Sequence, residues 1–284
     1  MARRHELTDG QWQAIAPLLP VPGAKTRPRV DDRRVRNGML FKAKTGVAWR
    51  ARPQRYGPWK PVVNRFWRWS RTGTLAMLVT RVRVVADPID ELDREVSVDC
   101  SIVRAHQHAA GARPLRTGRP GRAASQMIMP PAHGGPTTKI RLACDGHGGP
   151  LSAVVTGDNI NDCTMVTHVM SGIEFRRPGP GRPPTRPGRV PADKRCSSRA
   201  IRSHLRRQHA PATIHERRDP QANRLHRGPA GGRPPVFDRV ACKRRNIVGR
   251  CSNRLLQFRA MAIAFDKIHL LPRQARPATL LIWL

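Results

Sequence analysis

Asp99 is the first residue whose surroundings suggest chemistry. It lies in Glu95 to His108, EVSVDCSIVRAHQH, among the β-branched Val96, Val98, Ile102 and Val103. A carboxylate inside an apolar β run costs several kcal/mol to desolvate unless a metal ion, a cation or backbone donors compensate it. The plain alternative is an edge strand on which Asp99 faces water. A second acid, Asp193, ends another short extended run, Arg189 to Lys194 (RVPADK). The six cysteines, at 100, 144, 163, 196, 242 and 251, form no CxxC pair. Zinc sites use tighter ligand spacing, so these read as reduced thiols, even with His106 and His108 near Cys100.

The elements that must position these acids follow from periodicity. Leu7-Thr8-Asp9 offers a helix cap, and Trp12, Ile15, Leu18 and Leu19 recur at helical spacing until Pro20. Asp31 and Asp32 cap a second helix with Val35, Met39 and Leu40 inward, ending near Gly46. A third starts near Pro58 with Trp59, Val62, Val63, Phe66 and Trp69 on one face, leaving Arg65, Arg68 and Arg71 elsewhere. A fourth covers Thr74 to Ala86. After Asp87-Pro88 the period becomes that of strands: Glu95 to Arg104, Thr137 to Cys144 and Leu151 to Thr156, with a turn at Asp145-Gly146. A helix over Asp162 to Met170, the short strand before Asp193, a helix from Ser197 or Ser198 to Leu205, a strand over Ala212 to Ile214 and a helix over Arg239 to Phe265 complete the order. The predicted fold class is α+β. The order β-β-β-α-β-α-β-α, with an acid on the first strand and another beside the fourth, matches a ribonuclease-H-like layout. There the two carboxylates meet at neighbouring strand ends and hold divalent cations, normally with a third carboxylate from a late helix.

Charge points to the partner. Lys and Arg number 53 against 19 Asp and Glu, a formal charge of +34. Nucleic acid is the natural counterion, because phosphate contacts release condensed cations. No apolar run reaches the ~20 residues that span a bilayer, and MARRHELTDGQ lacks the apolar core of a signal peptide. The expected location is therefore cytoplasmic, with no membrane partner. Gly and Pro together supply 50 residues, concentrated in Arg113 to Pro136, Arg176 to Pro191 and Asn223 to Pro235. These are expected to be loops or disorder, since they bury too little apolar surface to offset chain entropy.

LTDGQWQAIAPLLP, TGVAWRARPQRYGPW and NRFWRWSRTGT, followed by VSVDCSIVRAHQHAAGAR, TTKIRLACDGHGGPLSAVVTGDN, RPGRVPADKRCSSRAIRSHLRR and RRNIVGRCSNRLLQFRA, form an ordered series. In these the chain resembles the DDE transposases of bacterial insertion sequences, in the group of insertion sequences four and five. The resemblance implies a small all-helical DNA-binding domain over 1–88 and a ribonuclease-H-like catalytic domain, a mixed sheet with helices, over 89–284. It implies cleavage and strand transfer of double-stranded DNA at terminal inverted repeats and target sites, by a homodimer using two Mg²⁺ or Mn²⁺ ions. Asp99 and Asp193 carry over as the first and second acids and metal ligands. Arg65, Arg68, Arg104, Arg245 and Arg250 are the candidate DNA contacts.

The third acid is missing. The family's late helix carries a tyrosine, an arginine, a glutamate and a lysine, and these positions read Cys242, Arg245, Gly249 and Leu256. No glutamate follows Glu216, and nothing in the spacing makes Asp158, Asp162 or Glu216 a substitute. Arg195-Cys196 stands where the family has a small residue and tyrosine; the runs Arg113 to Pro136 and Leu270 to Thr279 do not look like it. A catalytically impaired copy is therefore expected. The alternatives are a non-catalytic DNA-binding remnant and a basic RNA-associated protein, which would prefer RNA hairpins to duplex DNA.

Overall fold

The computed structural model describes residues 5–20, 30–86, 94–104, 137–157, 160–173 and 186–263. The expectations for 105–136 and 270–279, and for His106, His108 and Asp158, fall outside the described residues. The chain begins with α1 (Asp9–Ile15), where Thr8 accepts from the Gln11 amide and the Gln11 side chain returns to the Thr8 amide. This reciprocal cap satisfies two amides that the first turn leaves without partners. Asp31 caps α2 (Asp32–Thr45), which stops at Gly46 with φ 72°. Then come α3 (Trp59–Arg71) and α4 (Thr74–Ala86). Leu7, Ile15, Val35, Leu40, Val62, Phe66 and Leu78 make one shared core between these helices.

The sheet is mixed and five-stranded. Its members are β1 (Ser97–Arg104), β2 (Thr137–Cys144), β3 (Pro150–Gly157), β4 (Val190–Ala192) and β5 (Ala212–Ile214), in the order β3-β2-β1-β4-β5. β1 is therefore central: antiparallel to β2, with Asp99 opposite Leu142, and parallel to β4, with Val98 opposite Ala192. Side chains alternate along a strand, so Val98 and Asp99 point to opposite faces.

Each face has its own core. Val96, Val98 and Ala192 pack with Val166 and Val169 of α5 (Asp162–Ser171) and with Ile201 and Leu205 of α6 (Arg199–Arg207). The far face carries Val103, Ile140, Leu142 and Cys144. It meets the C-terminal helices, which follow α7 (Arg218–His226) as α8 (Arg239–Arg244), α9 (Asn246–Leu256) and α10 (Arg259–Ala262). Val248, Cys251 and Leu255 of α9 supply the stripe. Ala43 of α2 joins the same cluster, and Arg83 of α4 donates to the carbonyls of Pro150 and Leu151 at 2.6 Å, so the helical N-terminal part packs directly on the sheet.

Two sequence expectations are corrected. The helix expected over Arg239 to Phe265 is three helices, parted at Arg245 and at Gln257-Phe258. The stretch Asn223 to Pro235, expected as loop, begins inside α7 and includes a 3-10 turn over Gly228–Gly231. α7 buries no residue, which is why apolar periodicity could not reveal it.

Candidate active site

Asp99 and Asp193 meet through the strand pairing. Asp99 follows Val98 on β1 and Asp193 follows Ala192 on β4, and that Val98–Ala192 step is where the two parallel strands are in register. Both carboxylates thus leave the sheet at adjacent strands, on the face away from Val98 and Ala192. Asp99, Asp193 and Asp162 line a cavity of about 50 Å³ together with Cys100, Arg195 and Cys196.

The two acids differ electrostatically. Burial pushes the Asp99 carboxyl above its ordinary range; the Cys100 amide and the Arg245 charge oppose this, and Asp193 adds to it. Burial also pushes Asp193 up, but the Lys194 amide, the Arg245 hydrogen bond and the Arg245 charge outweigh it, so Asp193 titrates lower than usual. Arg245 Nη1 donates to Asp193 Oδ1 at 2.9 Å. Among the described residues, Asp99 forms no ion pair.

Asp162 reaches the same cavity from the other side. It accepts from Arg141 Nη2 at 2.9 Å and lies 3.7 Å from Lys139 Nζ. Arg141 is 2% exposed and also donates to Thr156 Oγ1 and, at 2.6 Å, to the Ile160 carbonyl. Register puts Arg141 opposite Cys100, on the face away from Asp99. Spacing could not have shown this arrangement; the visible signal was a basic residue inside the alternating run TTKIRLAC. Asp145, in the turn after β2, is 2% exposed, with its carboxylate on the amides of His147 and Gly149. Glu216 pairs with Arg224.

Gly249 is four residues beyond Arg245, about one helical turn further along the C-terminal helices. A Cβ there would meet only Asn246 Oδ1, at 3.5 Å, so a side chain has room. Among the described residues, no group of three or more His, Cys, Asp and Glu side chains is arranged to hold a metal ion.

The candidate DNA contacts divide by exposure. Arg68, Arg104 and Arg250 are exposed. Arg65 is 8% exposed and bonded to Asp32 and the Val30 carbonyl, so its guanidinium holds α3 to the start of α2. Arg245 is half-buried on Asp193.

Residues 7–79 match a family model described as "Putative transposase of IS4/5 family". Protein y4sN of Sinorhizobium fredii is 40% identical over 121 residues, 41% of this chain and 90% of that protein. The chain belongs to the IS4/5 transposase family. A protein of Burkholderia cepacia described as "Putative transposase for insertion sequence element IS402" is 30% identical over 132 residues; the match spans 46% of this chain but 55% of that relative. The Mos1 strand transfer complex overlaps 86% of this IS4/5 chain and 80% of its own, with 13% identity and a TM-score of 0.28. Among the described residues, no helix is long and apolar enough to cross a membrane.

Proposed function

We propose that this IS4/5 transposase binds duplex DNA at the ends of its insertion sequence and at target sites. In this reading, Asp99 and Asp193 are what remains of the site that cleaves and joins strands. Residues 1–88 act as a helical DNA-binding domain, and 89–284 as a ribonuclease-H-like domain. The order β3-β2-β1-β4-β5, with β1 between an antiparallel and a parallel neighbour, supports that fold. The observation that carries the site is the parallel step that sets Asp99 beside Asp193.

The donor set suits one divalent cation. Mg²⁺ keeps several waters and needs only one or two carboxylates, which Asp99 and Asp193 supply on a shared face. A second cation lacks a ligand, because Asp162 is bound to Arg141 across the sheet and position 249 has no side chain. When bound, Mg²⁺ or Mn²⁺ supplies Lewis-acid activation of the attacking oxygen and neutralises charge at the leaving oxygen of an in-line displacement at phosphorus. Asp99 and Asp193 would hold it. Arg245 keeps Asp193 ionised but occupies one of its oxygens, and its positive charge lies where a cation would otherwise be attracted.

Impaired chemistry follows. Losing one member of a concerted site removes most of its effect. The experiment is cleavage of the element's flanking DNA with Mg²⁺ or Mn²⁺, comparing the chain with Gly249→Glu. The substitution is expected to raise the rate by about a thousand-fold or more, by restoring the missing member of the site. No change would leave the second reading, a DNA-binding remnant without chemistry, which the Arg245–Asp193 bond favours. A dimer acting on paired ends is part of the proposal, and a monomeric DNA complex in sedimentation would remove that part.

A further inference from the structure

A second basic site lies beyond α8. A cleft of about 640 Å³ opens between the start of β4, α6, β5, α7 and the segment leading into α8. Five arginines line it, Arg189, Arg202, Arg206, Arg224 and Arg233, against one carboxylate, Asp238. Three of the five are committed. Arg189 bonds Asp238 at 2.5 Å, Arg224 grips Glu216, and Arg202 donates to the Ile214 carbonyl at 2.7 Å. Arg206 and Arg233 are exposed, and their guanidinium groups make no hydrogen bond or ion pair among the described residues. Three arginines thus build the walls, and two on opposite elements remain available to an anion.

The cleft and the carboxylates lie at the two ends of β4. Asp238 accepts from the amides of Val240 and Ala241 to start α8, and Arg245, just past the end of α8, holds Asp193. Arg189, which lines the cleft, precedes β4 and Asp193 follows it, a separation of about 13 Å at strand rise. The opening is far larger than a single phosphate, and its free guanidinium groups come from separate elements. That suits a chain of phosphates better than one enclosed ion.

We infer that this cleft binds the sugar-phosphate backbone of duplex DNA whose strand runs past Asp99 and Asp193, through Arg206 and Arg233. The inference rests on the DNA-binding reading above and adds a fixed second contact to it. Arginine suits this role because its planar fork takes two phosphate oxygens and remains charged at any working pH.

The test is fluorescence anisotropy of a short labelled duplex with the full chain, over a range of salt concentrations. The Arg206→Ala/Arg233→Ala double variant should reduce the slope of log affinity against log salt by about 1.8, since each lost phosphate contact contributes about 0.9. Arg206→Lys/Arg233→Lys, which keeps the charge, should retain most of the slope; circular dichroism should be the same for all three chains. A steep slope in the parent that is unchanged in the alanine variant overturns the cleft alone. A flat slope in the parent overturns the DNA reading itself. Displacement of the duplex by millimolar inorganic phosphate, beyond a chloride control of equal ionic strength, would make this a small-anion site and overturn the inference.

Discussion

The two faces of the sheet each bring a carboxylate to an arginine, with opposite consequences. On the α5 face, Asp162 meets Arg141, whose side chain is 2% exposed and is further held by Thr156 and the Ile160 carbonyl. On the α9 face, Asp193 meets Arg245, but these side chains are 32% and 34% exposed, and a second carboxylate, Asp99, forms no ion pair among the described residues. The first pair is balanced and mostly buried; the second has an excess acid and is more open to solvent. A balanced, mostly buried pair specifies packing, whereas unbalanced carboxylates at adjacent strand ends are poised for a cation from solution. The contrast separates the acid that holds the fold from those proposed to do chemistry.

Removing one arginine from each face should give the widest separation. Arg141→Leu leaves Asp162, 15% exposed, with the more distant Lys139 as its cation; breaking a buried pair costs about 3–5 kcal/mol, here toward the lower end because Lys139 and solvent remain. Arg245→Leu breaks a pair in contact with water and should cost about 1 kcal/mol or less. Urea unfolding of both variants checks this. Similar losses would mean that the two faces are not energetically distinct.

Most of the scaffold was legible in the sequence. Strand alternation and the caps at Thr8, Asp31 and Ser198 were all local signals, and the structure uses each of them. The adjacency of Asp99 and Asp193 was legible only through the order of elements, because their residues are far apart in the chain. What stayed hidden was non-local or lacked an apolar signature. Arg65 looked like an outward charge on α3, yet it folds back onto Asp32 because the acid that starts α2 lies within reach. α7 buries nothing, and the Arg141–Asp162 pairing depends on a register across β1 and β2 that no spacing reports.

Position 249 sharpens the comparison from the backbone side. The α9 face is weakened where a glycine sits in a helix with room for a side chain. Gly249→Ala should stabilise the protein by about 1 kcal/mol, the helix-propensity difference, and should leave DNA cleavage unchanged because it adds no oxygen ligand. A thermal melt paired with the cleavage assay separates it from Gly249→Glu. A rise in cleavage with alanine would mean that helix order, and not the absent carboxylate, limits the chemistry.

The smallest effects test whether the excess charge on the α9 face lies with Asp99. Burial raises the Asp99 carboxyl above the ordinary value of 3.8, so the folded state holds that proton more tightly than the unfolded chain does. Its contribution to stability is therefore complete below the unfolded value and is lost as pH rises through the folded one. Asp193 has the reverse sign: its contribution is present above the unfolded value and is lost as pH falls through its lowered one. At neutral pH, Asp99→Asn should thus raise the melting temperature, while Asp193→Asn should lower it by freeing Arg245, each modestly because the Arg245–Asp193 pair is in contact with solvent. Melting curves from neutral pH down through the carboxylate range should converge with the parent from opposite sides, Asp99→Asn from above and Asp193→Asn from below. If both substitutions destabilise at neutral pH, then Asp99 is compensated as fully as Asp162, and the two faces do not differ in the way their ion pairing suggests.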